Sequence, residues 1–153
     1  MKTLLLAMIN GLLKAKENRT KRTDKIFLSS SDSVSGRTLM IEEDEYNVLV
    51  YVLEPDNAGI DFISFLCTVI YPKSYNADSS ELDADASLLP RDYISSFGFI
   101  MNLKKKDLTI HWQRDYVSIL IKDKVFMILD LAAKVGYSKG LLKACKYGKP
   151  LEE

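Results

Sequence analysis

The sequence predicts an α+β fold: a mainly antiparallel sheet of about five to six strands, with an N-terminal helix and C-terminal helices packed on it. Apolar residues recur at helical spacing near the N-terminus, several short runs in the middle alternate apolar and polar residues, and the last quarter again has helical spacing. A length of 153 residues, with no internal repeat or linker, indicates a single domain over residues 1–153.

An amphipathic helix is predicted over residues 3–16. Its apolar face comprises Leu4, Leu5, Met8, Leu12 and Ala15. We expect this face to pack on the sheet, and docking on a membrane surface is the alternative. The segment resembles the first half of a signal peptide, but Asn10 and Gly11 interrupt the apolar run and no Ala-x-Ala site follows. The prediction is therefore a cytoplasmic protein that does not act at a membrane.

Three strands are predicted next, over residues 37–43, 46–53 and 60–71. The first run alternates, with Leu39 and Ile41 on one side, and the second is rich in β-branched and aromatic residues, which favour a pleated surface. The third run is apolar on both alternating faces, which is typical of a central strand, although a buried helix remains open. Short turns between these strands predict antiparallel pairing.

The stretch between residues 73 and 90 is ambiguous between helix and loop. Ser80 followed by Asp83 resembles a capping box, which predicts a short acidic helix over residues 81–89. A long loop without secondary structure is uncommon inside a compact domain, and this favours the helix.

Alternating patterns then predict further strands over residues 93–103, 108–113 and 116–121. In the first of these Phe97 falls on the apolar face, with Phe99, Met101 and Leu103. Two helices are predicted to close the chain. One runs from about Val125 to Val135 and is ended by Gly136, and a shorter one runs from Ser138 through Lys146.

Charge is sorted along the chain into three blocks. Residues 1–37 carry eight Lys/Arg and three Asp/Glu, residues 38–92 carry two and twelve, and residues 93–153 carry eleven and six. Net charges of +5, −10 and +5 give a dipolar surface unless folding interleaves the blocks. Such a field steers charged partners and does not catalyse a reaction by itself.

The residues that catalysis or metal binding needs are scarce. The single histidine, His111, is expected to face solvent on a strand, so a Ser–His or Cys–His pair is not indicated. Cys67 and Cys145 lie in apolar segments, as reduced core thiols do. A calcium loop starting at Asp83 fails because its sixth and twelfth positions are Leu88 and Ile94. We therefore expect no enzyme activity, no metal and no cofactor.

The acidic block is the strongest indication of function. Carboxylates together with an exposed aromatic residue are typical of a protein-binding surface. The predicted partner-binding residues are Glu42, Glu43, Asp44, Glu45, Tyr46, Asp83 and Asp85. Tyr75 is a second candidate for the aromatic anchor, and a solubilising rim is the alternative interpretation of the acidic residues. The predicted function is non-enzymatic binding of a basic protein, in the manner of a cytoplasmic immunity or antitoxin-like inhibitor.

Two alternatives remain open. The predicted order of elements is similar to that of secretion chaperones, which implies a homodimer with a groove for an effector. The second alternative is nucleic-acid binding through two lysine-rich patches. One patch spans residues 14–25, and the other combines Lys104–Lys106 with Lys139, Lys143, Lys146 and Lys149.

Overall fold

The computed structural model describes residues 24–75 and 89–152, and it is built from two β-sheets. The first sheet contains β1 (Phe27–Ser31), β2 (Thr38–Glu43), β3 (Asn47–Leu53) and β4 (Ile60–Thr68). The second contains β5 (Leu108–Trp112), β6 (Tyr116–Ile121), β7 (Lys124–Asp130), β8 (Val135–Ser138) and β9 (Lys149–Pro150). The helical segments within the described residues are three-residue 3-10 turns.

Each sheet is a meander in which neighbours along the chain pair antiparallel, and only β8 and β9 run parallel. Tight turns make this order possible. Lys122 and Asp123 between β6 and β7 both have positive φ, at 50° and 68°. Positive φ at both central residues matches the right-handed twist of the flanking strands, so the hairpin closes without splaying.

The sheets pack face to face around the largest of three hydrophobic clusters. Alternate residues of each strand point inward. From the first sheet these include Leu39, Ile41, Val48, Val50 and Val52, and from the second Val117, Ile119, Met127 and Leu129, all fully buried. The alternation that predicted the strands thus also selects the core.

The two sheets meet along both long sides. On one side β4 lies against β8, where Ser138 Oγ donates to the Leu66 carbonyl at 3.2 Å. Gly136 allows this approach, because a Cβ there would lie 2.1 Å from Ser64 Oγ. On the other side, Trp112 Nε1 of β5 donates to Ser30 Oγ of β1 at 2.9 Å. The first sheet therefore meets the second at β4 against β8 on one side and at β1 beside β5 on the other.

The predicted fold class is wrong, because the described chain is all β rather than α+β. The predicted helix over 125–135 is β7, a turn and the start of β8. Phe126 and Leu129 fit a helical stripe, but Met127 and Leu129 also fit a strand, and pairing of β7 with β6 and β8 decides between the patterns. The predicted helix over 138–146 is a loop in which Leu141 bridges to Ile94.

The strands predicted over 37–43, 46–53, 108–113 and 116–121 are confirmed to within two residues at each end. The strand predicted over 60–71 ends earlier, at Thr68, and lies at the end of its sheet rather than in the centre. Its second face is apolar because β8 and neighbouring loops cover it.

The strand predicted over 93–103 is wrong. Arg91–Tyr93 and Ser96–Gly98 form 3-10 turns instead. The predicted helix over 3–16 lies outside the described residues. So do residues 81–88 of the helix predicted over 81–89, and its last residue, Leu89, is buried.

Candidate functional site

The structure places the predicted acidic binding residues in different environments. Glu42 and Glu43 at the end of β2 have only 2% and 0% of their surface exposed. Asp44, Glu45 and Tyr46 in the β2–β3 turn are half-buried. The expectation that this carboxylate run is solvated is therefore wrong for Glu42 and Glu43. Asp83 and Asp85 lie outside the described residues.

Tyr75, proposed from sequence as an exposed aromatic anchor, is also buried, with 1% exposure. Its hydroxyl donates to the Leu89 carbonyl at 2.5 Å, and its ring packs edge-on against Phe99. Burial raises the pKa of this phenol above its ordinary value. Tyr75 thus belongs to a second apolar cluster with Phe65, and not to a surface.

Glu42 is buried without a full set of hydrogen bonds. Its Oε2 atom has no hydrogen-bond partner among the described residues. Burial, and secondarily the neighbouring Asp44 carboxylate, raises the pKa of Glu42 to about 7. Near neutral pH this group therefore carries less than a full charge, which lowers the negative potential that sequence alone assigns to the run.

Asp44 organises the β2–β3 turn. Its Oδ1 accepts the backbone amides of Tyr46 and Asn47 at 2.9 and 2.8 Å. Burial raises the pKa of Asp44 to about 6, and the two amides oppose that rise. The Asp44 carboxylate therefore stabilises the turn.

Within the described residues, acidic and basic side chains are concentrated on different sheets. Residues 27–68, the first sheet, carry one Lys/Arg and eight Asp/Glu, whereas residues 104–150, the second sheet, carry eleven and four. Accessibility differs sharply: only Glu54 and Asp56 of the eight acids are exposed, but ten of the eleven basic residues are. In the part of the chain that the structure describes, the charge that a partner can contact is therefore mainly the basic charge of the second sheet.

Two paired loops beside the second sheet carry exposed apolar residues. Phe97 is 67% exposed and Leu142 is 58% exposed. The loops are held together because Leu142 N donates to the Tyr93 carbonyl at 2.8 Å and Ser95 N donates to the Gly140 carbonyl at 3.0 Å. Large apolar side chains exposed on a rigidly paired backbone are typical of an interaction surface.

A charged pair lies on the same two loops. Lys143 Nζ lies 2.9 Å from Asp92 Oδ2 and 5.4 Å from the centre of the Tyr93 ring. We name the group Tyr93, Phe97, Leu142 and Lys143 the apolar–lysine surface. Three further lysines belong to the same loop and to β9: Lys139, Lys146 and Lys149. This arrangement of anchors and cations suits an acidic partner.

Sequence reasoning missed this surface because it assigned Phe97 to the inward face of a strand. In the structure Ser95 begins a 3-10 turn, with its Oγ accepting the Phe97 amide at 3.2 Å. The turn reverses the alternation, so that Gly98 is buried against Gly140 and Phe97 faces outward. The signal that could have revealed the turn is the Ser95-Ser96-Phe97-Gly98 sequence.

The remaining reactive side chains are dispersed. His111 is exposed on β5, as predicted. Cys67 is fully buried and Cys145 is half-buried, and burial raises the pKa of the Cys145 thiol. Within residues 24–75 and 89–152, no group of three or more His, Cys, Asp or Glu residues is placed to hold a metal ion.

A cleft of about 470 Å³ lies where Arg37 and Asp61 of the first sheet meet Lys134 of the second. Asp61 binds Arg37 Nη2 at 3.0 Å and Lys134 Nζ at 3.1 Å. Arg37 Nη2 also donates to the Leu53 carbonyl at 3.1 Å. These charges are used in joining the sheets, so this cleft is a weaker candidate than the apolar–lysine surface.

Comparisons with protein-family models, with curated proteins and with solved structures find no match to this chain. Among the described residues, no helix has the length and apolar character needed to cross a membrane.

Proposed function

We propose that this protein is a non-enzymatic binding module that holds an acidic protein partner on the apolar–lysine surface. The observation that carries the proposal is the exposure of Phe97 and Leu142 beside Lys143 on two paired loops. Apolar anchors supply most of the binding free energy at protein interfaces, and surrounding charges set orientation and encounter rate.

The sign of the partner's charge differs from the one expected from sequence. A basic partner was predicted because residues 38–92 are strongly acidic, but Glu42 and Glu43 are buried. Most basic residues of the second sheet are exposed, so they attract an acidic partner. Inhibition of a basic toxin thus stays a prediction without support from the accessible charge.

The two alternative functions are less well supported. The likeness to secretion chaperones depended on an α+β order of elements, and that order is wrong for the described chain. Nucleic-acid binding draws on the same exposed lysines. The exposed apolar side chains of Phe97 and Leu142, however, are anchors that a protein interface uses and a phosphate backbone does not, which favours a protein partner.

The proposal is tested by affinity capture from native-host lysate, in parallel samples with and without nuclease. The wild type is compared with the double variant Phe97→Ser/Leu142→Ser. Val34→Ser serves as the matched control, because Val34 is 92% exposed in the β1–β2 turn of the first sheet. We expect an acidic protein that the wild type and the control retain and the double variant loses. Retention by the double variant, or capture that requires nucleic acid, overturns the proposal.

A further inference from the structure

The edge of β5 carries backbone groups that no described residue pairs. Gln113 N donates to the Tyr116 carbonyl, and Lys122 N donates to the Asp107 carbonyl, both at 2.8 Å. In an antiparallel ladder the backbone groups of successive residues point to opposite sides. The odd-numbered residues of β5 therefore pair with β6, and Leu108, Ile110 and Trp112 direct their backbone groups away from the sheet. Of these groups, the Leu108 amide already donates a hydrogen bond to the Lys105 carbonyl.

Backbone groups alternate in the same way in β1, the edge strand of the first sheet. Asp32 N donates to the Arg37 carbonyl and Glu43 N donates to the Ile26 carbonyl, both at 2.8 Å. Even-numbered residues of β1 therefore face β2, and Phe27, Ser29 and Ser31 direct their backbone groups outward. The two open edges lie side by side, joined by the hydrogen bond from Trp112 to Ser30.

Neither edge strand has the usual protection against strand addition. Proteins commonly place Lys, Pro or a bulge in an exposed edge strand. The sequence of β5 is Leu-Thr-Ile-His-Trp and that of β1 is Phe-Leu-Ser-Ser-Ser, and no bulge is present where they pair with β6 and β2. The inward side chains of Leu108, Ile110 and Trp112 are only half-buried, so an added strand with apolar residues at alternate positions would cover them.

Lysines at one end of β5 indicate the chemistry of the added strand. Lys104, Lys105 and Lys106 directly precede β5 and are all exposed. Lys122 and Lys124 of the β6–β7 hairpin adjoin them, since Lys122 N bonds Asp107. A strand that passes this end gains from carrying acidic residues there.

Two other occupants fit this end less well. Residues 1–23 of the chain carry six Lys/Arg and one Asp/Glu, so they would bring positive charge to a positive site. A second copy that pairs antiparallel about Ile110 would place Lys106 opposite Arg114 of the other copy. Like charges directly opposite each other destabilise strand pairing.

We propose that β5 binds an extended segment of the acidic partner by strand addition, with apolar residues of that segment at alternate positions and acidic residues beside Lys104–Lys106. This inference deepens the proposed function and rests on it for the partner's charge. Backbone hydrogen bonds to Ile110 and Trp112 supply the affinity, and the lysines set the direction and the register.

The test uses a synthetic peptide of alternating valine and threonine with three glutamates at one end, and a second peptide with the glutamates at the other end. Each peptide is also made in two N-methylated versions, one methylated at its odd-numbered residues and the other at its even-numbered residues. Only one of these two methylation parities removes the amides that face β5. We expect that version to bind at least tenfold more weakly and the other version to bind nearly as well as the unmethylated peptide. Amide exchange at Ile110 and Trp112 should slow on binding.

A triple variant gives a second readout that leaves the strand intact. The variant combines three substitutions of exposed side chains: Lys104→Glu, Lys105→Glu and Lys106→Glu. Together they should weaken peptide binding at least tenfold. Equal effects of both methylation parities, or no binding of either peptide, overturn strand addition. Capture of the acidic protein that depends on Phe97 and Leu142 would in that case still support the proposed function. Dimerisation of the free protein, abolished by Ile110→Pro, would instead identify a second copy as the occupant and overturn the proposal.

Discussion

Asp61 of β4 and Lys134 of the β7–β8 turn form a salt bridge of 3.1 Å that joins the acidic sheet to the basic one. Asp61 also binds Arg37 at 3.0 Å, and the Asp61 side chain is 9% exposed. One carboxylate therefore neutralises two cations where the sheets meet.

Replacing Asp61 should cost much more stability than replacing Lys134. Asp61→Asn leaves the largely buried Arg37 guanidinium without a counterion, and we expect a loss of about 2 kcal/mol in the free energy of unfolding. Lys134→Ala removes a side chain that is 61% exposed and should cost less than about 0.5 kcal/mol. Urea denaturation of both variants checks this, and equal losses would show that the network is not centred on Asp61.

Gly136 should not tolerate a side chain. A Cβ there would lie 2.1 Å from Ser64 Oγ and 2.6 Å from Ser64 Cβ. Gly136→Ala should therefore destabilise the fold by about 3 kcal/mol, because β4 and β8 must move apart. The second change Ser64→Gly removes the clashing atoms and should recover about half of the loss. Gly59→Ala is the control, since the nearest atoms there are 4.0 Å away. Thermal unfolding that ranks the two alanine variants equally would contradict the close packing of these strands.

The burial of Glu42 predicts an unusual dependence of stability on pH. Its pKa rises from 4.5 to about 7 on folding, so the folded state binds more protons than the unfolded state between these values. The free energy of unfolding should therefore fall as the pH rises from about 4.5 to about 7. Glu42→Gln removes the charge and should stabilise the protein by ~2 kcal/mol at pH 8, with little effect at pH 4. Denaturation curves at both pH values measure this, and a variant no more stable at pH 8 would refute it.

The hydrogen bond between Trp112 and Ser30 should couple the two edge strands. Trp112→Phe and Ser30→Ala should each destabilise the fold by about 1 kcal/mol, because each removes one partner of a part-buried bond. The double variant should lose about 1 kcal/mol less than the sum, since the bond can be lost only once. Strict additivity in a double-mutant cycle would show that the bond contributes nothing.

Sequence patterns identified most strands because period-two alternation coincides with the core. The inward face of β2 and β3 was predictable from Leu39, Ile41 and the valines of β3. The end of the chain was not predictable, because Phe126 and Leu129 fit a helical period and Met127 and Leu129 fit a strand period. Only pairing with β6 and β8 selects the strand.

The candidate site was less accessible from sequence than the fold. Charge counting located the acidic block correctly, but the burial of Glu42 and Glu43 depends on long-range packing of the sheet. Exposure of Phe97 depends on a single 3-10 turn, and its proximity to Leu142 depends on pairing across more than forty residues. Such contacts leave no local pattern in the chain.

The central claim is that, within residues 24–75 and 89–152, the charge available to a partner is basic and lies on the second sheet. An NMR titration of the labelled protein with a polyglutamate peptide, at low salt and beside a matched polylysine peptide, tests it most directly. We predict shifts at residues 104–106, 122–124 and 139–149, with polyglutamate bound at least tenfold more tightly than polylysine. Tighter binding of polylysine, with shifts centred on residues 42–45, would contradict the account.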